Sequence, residues 1–293
     1  MSARSSRLVA GFWRLHQWGF DAQQTAAFIE QCLELGISSF DLADIYGDGA
    51  AERMVGDALA LRPELRERME LTTKVDIVVP SERFPAARRH HYDTSAAHIV
   101  AATEACLERL RCERIDVLLL HREDPLLDPD AAARAFDQLH AAGKVGAFGV
   151  SNFQPSKFEL LASRVAQPLV TNQIEMSPLC LDAWSDGTLD QCHRLGIAPM
   201  AWSPLAGGRL MREQEPRTER VRRALEVVGD AHGGAPIERV AFAWLLRHPA
   251  RVRPILGTGR IERVRSTVQA LELELDAQEW FDVWCASTGE PLP

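Results

Sequence analysis

Short apolar segments alternate with helical patterns along this chain, and that alternation is the strongest constraint on its fold. The apolar segments lie at residues 8–12, 37–41, 71–75, 115–120, 145–150, 168–172, 197–202 and 252–256. Parallel strands need long crossover connections, which are usually helices, so strict alternation indicates a parallel sheet. Eight strand-helix units within 293 residues predict an α/β fold, a (β/α)8 TIM barrel that forms one domain over residues 1–293.

A doubly wound open sheet is the main alternative fold. Such a sheet usually carries a G-x-G-x-x-G turn for a dinucleotide directly after its first strand. Residues 13–18, which read WRLHQW, contain no such turn. The barrel is therefore favoured, and its ligands should bind at the C-terminal ends of the strands.

Composition excludes several functional classes. A net charge of −8 and 25% charged residues favour a soluble protein without nucleic-acid or anionic-membrane partners, which require clustered Lys and Arg. No apolar run approaches membrane-spanning length, and the N-terminus lacks the apolar core of a signal peptide, so we expect a cytoplasmic protein. The six cysteines form no C-x-x-C pair, which argues against a zinc or redox site. The oligomeric state stays open.

Helix starts can be predicted from capping residues. Asp21 is the expected N-cap of a helix over residues 22–35, and Thr94 is the expected cap of the long helix that follows the third strand. Asp130 is expected to begin a helix that continues to residue 142.

Four polar side chains follow three consecutive predicted strands. Asp41 ends the second strand, Tyr46 lies in the loop beyond it, Lys74 lies near the end of the third strand, and His121 follows the fourth. Neighbouring barrel strands place their C-terminal ends side by side, so these side chains should converge at one mouth of the barrel. An acid, a phenol, an amine and an imidazole together indicate a proton-transfer site.

The four groups suggest specific roles. A phenol has a pKa near ~10, and a nearby ammonium such as that of Lys74 would lower it by roughly 1 to 3 units. Asp41 would keep Lys74 charged and in place. His121 would donate a hydrogen bond to a substrate oxygen. Tyr46 would then protonate a developing alkoxide.

Motifs along the whole chain resemble those of the aldo-keto reductase family, in order and in spacing. They are D-x-A-x-x-Y-G at 41–47, Lys74, LLLH at 118–121, GVSNF at 149–153, Asn172-Gln173, WSPL at 202–205 and PILGTG at 254–259. The Gly-Thr-Gly turn is similar to that of a bacterial oxidoreductase branch. The resemblance implies reduction of an aldehyde or ketone to an alcohol, with Tyr46 as general acid, Asp41 and Lys74 tuning it, and His121 orienting the carbonyl. A glutamate replaces this histidine in the family's steroid double-bond reductases, so His121 implies ordinary carbonyl reduction.

The resemblance also implies NADPH (NADP+ when oxidised) as the cofactor. Amide and hydroxyl groups at the ends of strands five and six would bind the nicotinamide, Trp202 would stack on its ring, and the loops after strands seven and eight would bind phosphate. The implied cofactor-binding residues are Ser151, Asn152, Gln173, Trp202, Ser203, Pro204, Leu205, Gly207, Arg209, Gly257, Thr258, Gly259, Arg260 and Arg263. Arg265 belongs to the same basic cluster. Many members carry lysine where Gly257 falls, which keeps NADH as an alternative cofactor.

The substrate is expected to be a small carbonyl compound that contacts Trp13, Tyr46 and His121. Trp18, Tyr92 and Trp184 are further candidates for an apolar wall. Two other functions stay open: an NADPH-binding sensor with vestigial reductase activity, and a Schiff-base lyase that uses Lys74. The family's N-terminal hairpin has little room before Leu8, so the closure of the barrel bottom is not predicted.

Overall fold

A closed barrel of eight parallel strands forms the centre of the computed structural model, which describes residues 5–293. The strands are β1 (Val9–Gly11), β2 (Ser39–Asp41), β3 (Glu70–Val75), β4 (Ile115–Leu120), β5 (Val145–Ser151), β6 (Leu169–Glu175), β7 (Met200–Trp202) and β8 (Arg253–Leu256). Each strand pairs with the next along the chain, and β8 pairs with β1 to close the ring. The predicted (β/α)8 barrel is confirmed.

Helices surround the barrel and connect its strands. They run over Ala22–Glu34, Ala50–Leu61, Glu64–Arg68, Ala96–Leu110, Pro129–Ala141, Pro155–Ala162, Asp182–Ser185, Thr188–Leu195, Arg209–Arg212, Pro216–Ala231, Ile237–Leu246, Ile261–Val268 and Ala277–Thr288. A short antiparallel ribbon pairs Ile77–Val78 with His91–Tyr92 in the segment after β3. Among the described residues, no helix is long and apolar enough to cross a membrane.

Two of the predicted helix starts need correction. Asp21 caps its helix as expected, in a reciprocal capping box with Gln24. Thr94 does not cap the long helix: Ser95 does, while the Thr94 hydroxyl donates a 2.7 Å hydrogen bond to Asp124. The next helix begins at Pro129 rather than Asp130, and its cap is Asp128. Proline at the first helical position needs no N–H partner, which explains that start.

A buried ion pair lies at the N-terminal ends of three strands, at the bottom of the barrel. Arg253 Nη2 lies 2.9 Å from Glu70 Oε1, and the hydroxyl of Ser39 donates to the same oxygen over 2.8 Å. Arg253 Nε also donates to the main-chain oxygen of Ser6. Burial alone would raise the pKa of Glu70, but the guanidinium and the hydroxyl donors lower it below its usual value. This polar cluster lies at the bottom of the barrel, whose closure could not be predicted from the sequence.

The cysteines and acids do not form a metal or disulfide site in the described part of the chain. All six cysteines are free thiols. Residues 5–293 contain no group of three His, Cys, Asp or Glu side chains placed to hold a metal ion.

Candidate active site

Asp41, Tyr46, Lys74 and His121 meet at the C-terminal mouth of the barrel. The Lys74 ammonium donates to Asp41 Oδ2 over 2.8 Å, to the main-chain oxygen of Leu42 over 2.7 Å and to the Tyr46 hydroxyl oxygen over 3.0 Å. Lys74 is fully buried. Since an ammonium has three N–H donors, all of them are used. The Tyr46 oxygen accepts from Lys74, so its own proton is free to point elsewhere.

The turn after β2 brings Tyr46 back over Lys74. Gly47, Asp48 and Gly49 all have positive φ angles, of 59°, 54° and 83°. A Cβ atom on Gly47 would lie 2.7 Å from Cγ of His16, so both the backbone conformation and the space require glycine there. The helix Ala50–Leu61 begins directly after this turn.

Burial dominates the electrostatics of the Tyr46 and Lys74 pair. Burial raises the pKa of Tyr46, and the opposing effect of the Lys74 charge does not outweigh it. The net shift is upward, whereas the nearby Lys74 ammonium alone predicts a lowered pKa. Burial alone would lower the pKa of Lys74, but Asp41 and Tyr46 more than offset it and raise that pKa. Tyr46 is therefore a neutral acid and Lys74 a cation at neutral pH.

The imidazole of His121 is neutral and lies edge-on to the phenol. The two ring centroids are 6.0 Å apart, with the planes at 79°. Burial, and then the charges of Lys74 and Arg122, lower the pKa of His121 well below its usual value. Its buried Nδ1 atom has no hydrogen-bond partner among the described residues. A neutral imidazole keeps one N–H, which can donate to a substrate oxygen.

A buried acid, Asp44, lies in the segment between Asp41 and Tyr46. The Asp44 side chain is completely buried, and its nearest cation is Arg83, with Nη2 at 3.6 Å from Oδ2. Burial and then the neighbouring Glu52 raise the pKa of Asp44 to about 7, although Arg83 and Arg109 oppose the shift. Arg83 also donates to the main-chain oxygen of Asp44 over 2.6 Å. The segment after β3 therefore holds the Tyr46 turn in place.

The four residues expected near the nicotinamide form a connected hydrogen-bond network. Trp202 Nε1 donates to Asn152 Oδ1 over 2.9 Å, and Asn152 Nδ2 donates to Ser151 Oγ over 2.8 Å. The Ser151 hydroxyl donates to the main-chain oxygen of Gln173, whose own side-chain amide donates to Asp41 Oδ1 over 2.7 Å. The network joins the expected cofactor residues to the proton-transfer group.

The loop after β7 turns sharply through left-handed conformations. Ser203, Ala206, Gly207 and Gly208 have φ angles of 52°, 52°, 66° and 92°. Pro204 and Leu205 lie inside this turn, where the N–H of Ala206 donates to the oxygen of Ser203 over 2.7 Å. Arg209 begins the short helix that follows and is 55% exposed at its side chain.

The loop after β8 combines open glycine surface with unpaired cations. A Cβ on Gly257 would meet no atom within 4 Å, so its backbone is open to a ligand. Thr258 lies in the same loop, and its hydroxyl accepts from the N–H of Arg260. Arg260 and Arg263 are exposed at the start of the helix Ile261–Val268, and neither makes an ion pair within residues 5–293. Open glycine backbone beside free guanidinium groups fits a phosphorylated dinucleotide.

Gly259 has a packing role that the sequence could not indicate. A Cβ atom there would lie 2.5 Å from Cδ2 of Trp18. Trp18 in turn packs against Phe12 and Phe28, with ring centroids 6.0 Å and 5.5 Å away. Trp18 is therefore a packing residue under the β8 loop rather than a substrate wall.

Of the other proposed aromatic walls, only Trp13 presents a large free surface. Trp13 is 53% exposed, and the Arg14 guanidinium lies 4.6 Å from its ring centroid. Trp184 instead packs against Trp244 and Trp284, at 5.1 Å and 6.0 Å between centroids. Tyr92 belongs to the short ribbon after β3.

Comparison with known proteins agrees with this geometry. A family model described as the aldo/keto reductase family matches residues 7–283. The chain is 46% identical to the oxidoreductase YcsN of Bacillus subtilis, over 98% of this chain and 96% of that one. It is 44% identical to the 6-dehydroglucose reductase of Agrobacterium fabrum, again over 98% and 96%.

A solved structure shows the same arrangement of elements. The aldo-keto reductase AKR11C1 from Bacillus halodurans, in its holo form, superimposes with a TM-score of 0.79. The two chains are 25% identical, and the match covers 98% of this chain and 94% of the other.

Proposed function

Because the chain belongs to the aldo/keto reductase family and is therefore an NAD(P)H-dependent oxidoreductase, we propose that it reduces an aldehyde or ketone with NADPH, using Tyr46 as general acid. The observation that carries the proposal is the 3.0 Å hydrogen bond from the Lys74 ammonium to the Tyr46 oxygen. When bound, NADPH supplies the hydride. Tyr46 supplies the proton that completes the alcohol.

The residues of this chain prepare that proton transfer. Lys74 stabilises negative charge on the Tyr46 oxygen as the proton leaves, because it already donates to that oxygen. Asp41 and the main-chain oxygen of Leu42 fix the ammonium in position. His121, as a neutral donor, would orient the carbonyl oxygen beside the phenol.

The proposed cofactor site fits a dinucleotide in its donor set. Asn152, Gln173 and Trp202 would hold and stack the nicotinamide end, and the open backbone at Gly257 would approach phosphate. The unpaired cations Arg260 and Arg263 support NADPH over NADH, since a 2′-phosphate needs positive partners.

The two other functions considered from the sequence receive less support. A Schiff-base lyase needs an unprotonated, accessible amine, but Lys74 is fully buried, its three N–H groups are all donated, and its pKa is raised. A sensor with vestigial reductase activity would not need a complete set of proton-transfer residues. The set is complete in this chain, and it comprises Asp41, Tyr46, Lys74 and His121.

Replacement of Tyr46 by Phe tests the proposed acid. We expect Tyr46→Phe to lower kcat about 100-fold or more for a panel of aldehydes that includes 4-nitrobenzaldehyde and a hexose 6-aldehyde, since a general acid contributes on that order. NADPH binding, followed by tryptophan fluorescence, should stay close to that of the wild type. The hexose aldehyde enters the panel because a 44% identical relative is named 6-dehydroglucose reductase.

The chain offers a matched control in its only other tyrosine, Tyr92. Tyr92→Phe removes the same hydroxyl from the ribbon after β3 and should leave turnover unchanged. Full turnover in Tyr46→Phe would remove Tyr46 as the acid. NADPH binding without reduction of any panel member by the wild type would favour the sensor function instead.

A further inference from the structure

Arg122 lies at the mouth of the barrel directly after His121, and the proposed mechanism does not use it. Its side chain is half-buried, and its guanidinium carbon lies 5.9 Å from the ring centroid of Trp202. The main-chain N–H of Arg122 donates to Asp76 Oδ2 over 3.1 Å, which fixes the backbone at this point. The guanidinium thus lies near the tryptophan that is expected to stack on the nicotinamide.

The acids closest to Arg122 in the chain are engaged elsewhere. Glu123 accepts from the N–H of Gln154 over 2.7 Å. Asp124 accepts from Thr94 and from the N–H of Leu126. Each carboxylate therefore anchors the loop after β4 and makes no ion pair with the adjacent Arg122.

Across residues 5–293, the Arg122 guanidinium makes no hydrogen bond and no ion pair. A guanidinium carries five N–H donors, and burial removes part of their hydration without supplying hydrogen-bond acceptors in exchange. Glu175, at the end of β6, is also half-buried; burial raises its pKa and the charges of Arg209 and Arg122 oppose that rise, but its carboxylate forms no direct ion pair with Arg122. A ligand that enters the mouth can supply the missing acceptors.

We propose that Arg122 binds acceptor oxygens, a carboxylate or neighbouring hydroxyl groups, on the part of the substrate beyond the carbonyl. This inference rests on the proposed carbonyl reduction and defines its substrate class: oxygen-rich aldehydes are preferred over purely apolar ones. Charged hydrogen bonds from a planar guanidinium would supply the selectivity.

Two matched pairs of aldehydes test the inference and separate the two sources of oxygen. Butanal is 4-oxobutanoate with a methyl group in place of the carboxylate, and propanal is glyceraldehyde without its hydroxyl groups. For each pair, the ratio of kcat/KM values is measured in the wild type, Arg122→Leu and Arg122→Lys. Arg164→Leu is the control, because Arg164 is an exposed arginine paired with Asp130, away from the mouth.

We expect Arg122→Leu to lower at least one ratio, by about 10-fold or more for the carboxylate pair or several-fold for the hydroxyl pair. The pair that responds identifies the oxygen group, and Arg122→Lys should retain part of the preference. Unchanged ratios in both pairs would overturn the inference. This holds even if a fluorescence titration shows that Arg122→Leu weakens NADPH binding. Failure of the wild type to reduce any of the four aldehydes would instead count against the proposed function itself.

Discussion

The side-chain amide of Gln173 donates to Asp41 Oδ1 over 2.7 Å, and this bond joins β6 to β2 across the mouth of the barrel. Asp41 uses its other oxygen, Oδ2, for Lys74. Both carboxylate oxygens are thus occupied, one by the expected cofactor side of the site and one by the proton-transfer side. A change at the cofactor side can therefore reach Tyr46 through three hydrogen bonds in series, by way of Asp41 and Lys74.

Replacement of Gln173 should affect both stability and turnover. Gln173→Leu leaves the buried oxygen of Asp41 without its donor, which should cost about 1–3 kcal/mol in the free energy of unfolding. Turnover should fall as well, because Asp41 then positions Lys74 less firmly. Urea denaturation and steady-state kinetics measure the two effects.

Gln191→Leu is the matched control for that experiment. Gln191 is also buried, and its amide donates to the main-chain oxygen of Pro155 over 3.0 Å, outside the site. The Gln191→Leu variant should have a lower free energy of unfolding, while its turnover stays close to that of the wild type. If Gln173→Leu lowers stability but leaves turnover unchanged, as the control does, the proposed link from Gln173 to catalysis is wrong.

The pH dependence of reduction should be flat through the neutral range. The pKa of Tyr46 is raised by burial, so the phenol that must donate a proton stays protonated until the pH rises above its usual pKa. The pKa of His121 is lowered well below its usual value, so the imidazole is already neutral at mildly acidic pH. Neither group should titrate between about pH 7 and pH 9.

Measurement of kcat/KM over that range, with a saturating cofactor, checks the expectation. An apparent pKa within it that disappears in His121→Asn would show that the imidazole titrates during catalysis. An apparent pKa that shifts in Lys74→Arg would show that the Tyr46 phenol is more acidic than its buried position indicates.

Several features of the site could be predicted because their signals are local. The continuous apolar run 115–120 gave β4 its observed bounds. Asp41, Lys74 and His121 follow strands that are neighbours both in the chain and in the barrel, so their convergence needed only the order of the strands.

Other features depend on partners that are distant in sequence. Glu70 and Arg253 pair across 183 positions, and each reads locally as an ordinary charged residue at the start of a strand. A Cβ atom on Gly259 would clash with Trp18, a residue near the other end of the chain. The helix Pro216–Ala231 was not predicted, since its few buried apolar positions lie within a mostly charged segment.

Asp44 should make the stability of the protein fall as the pH rises from about 4 to about 7. Its pKa is raised to about 7 by burial and then by Glu52, whereas an unfolded aspartate has a pKa near ~3.9. The native state therefore binds this proton more tightly than the unfolded state does. The contribution is complete below the unfolded pKa and is lost as the pH rises to the folded pKa.

Comparison of the wild type with Asp44→Asn isolates that contribution. The unfolding free energy of Asp44→Asn minus that of the wild type should increase between about pH 4 and pH 8, by at most roughly 4 kcal/mol. Asp48→Asn is the control, since Asp48 lies on the same turn with a half-exposed side chain and also contacts Arg83. A pH-independent difference between wild type and Asp44→Asn would show that Asp44 is ionised in the native state.

Cofactor preference should depend on Arg263, which is exposed and unpaired at the start of the helix after β8. A guanidinium that binds a 2′-phosphate contributes only to NADPH, because NADH lacks that group. We expect Arg263→Leu to weaken NADPH binding about 10-fold or more, as for other charged hydrogen bonds, and to leave NADH binding unchanged. Fluorescence titration with each cofactor measures both.

Arg265→Leu removes the same charge from the same helix, two positions further along, and should have a smaller effect. Equal losses for NADPH and NADH in Arg263→Leu would place this residue at the shared pyrophosphate, and the preference would then depend on Arg260.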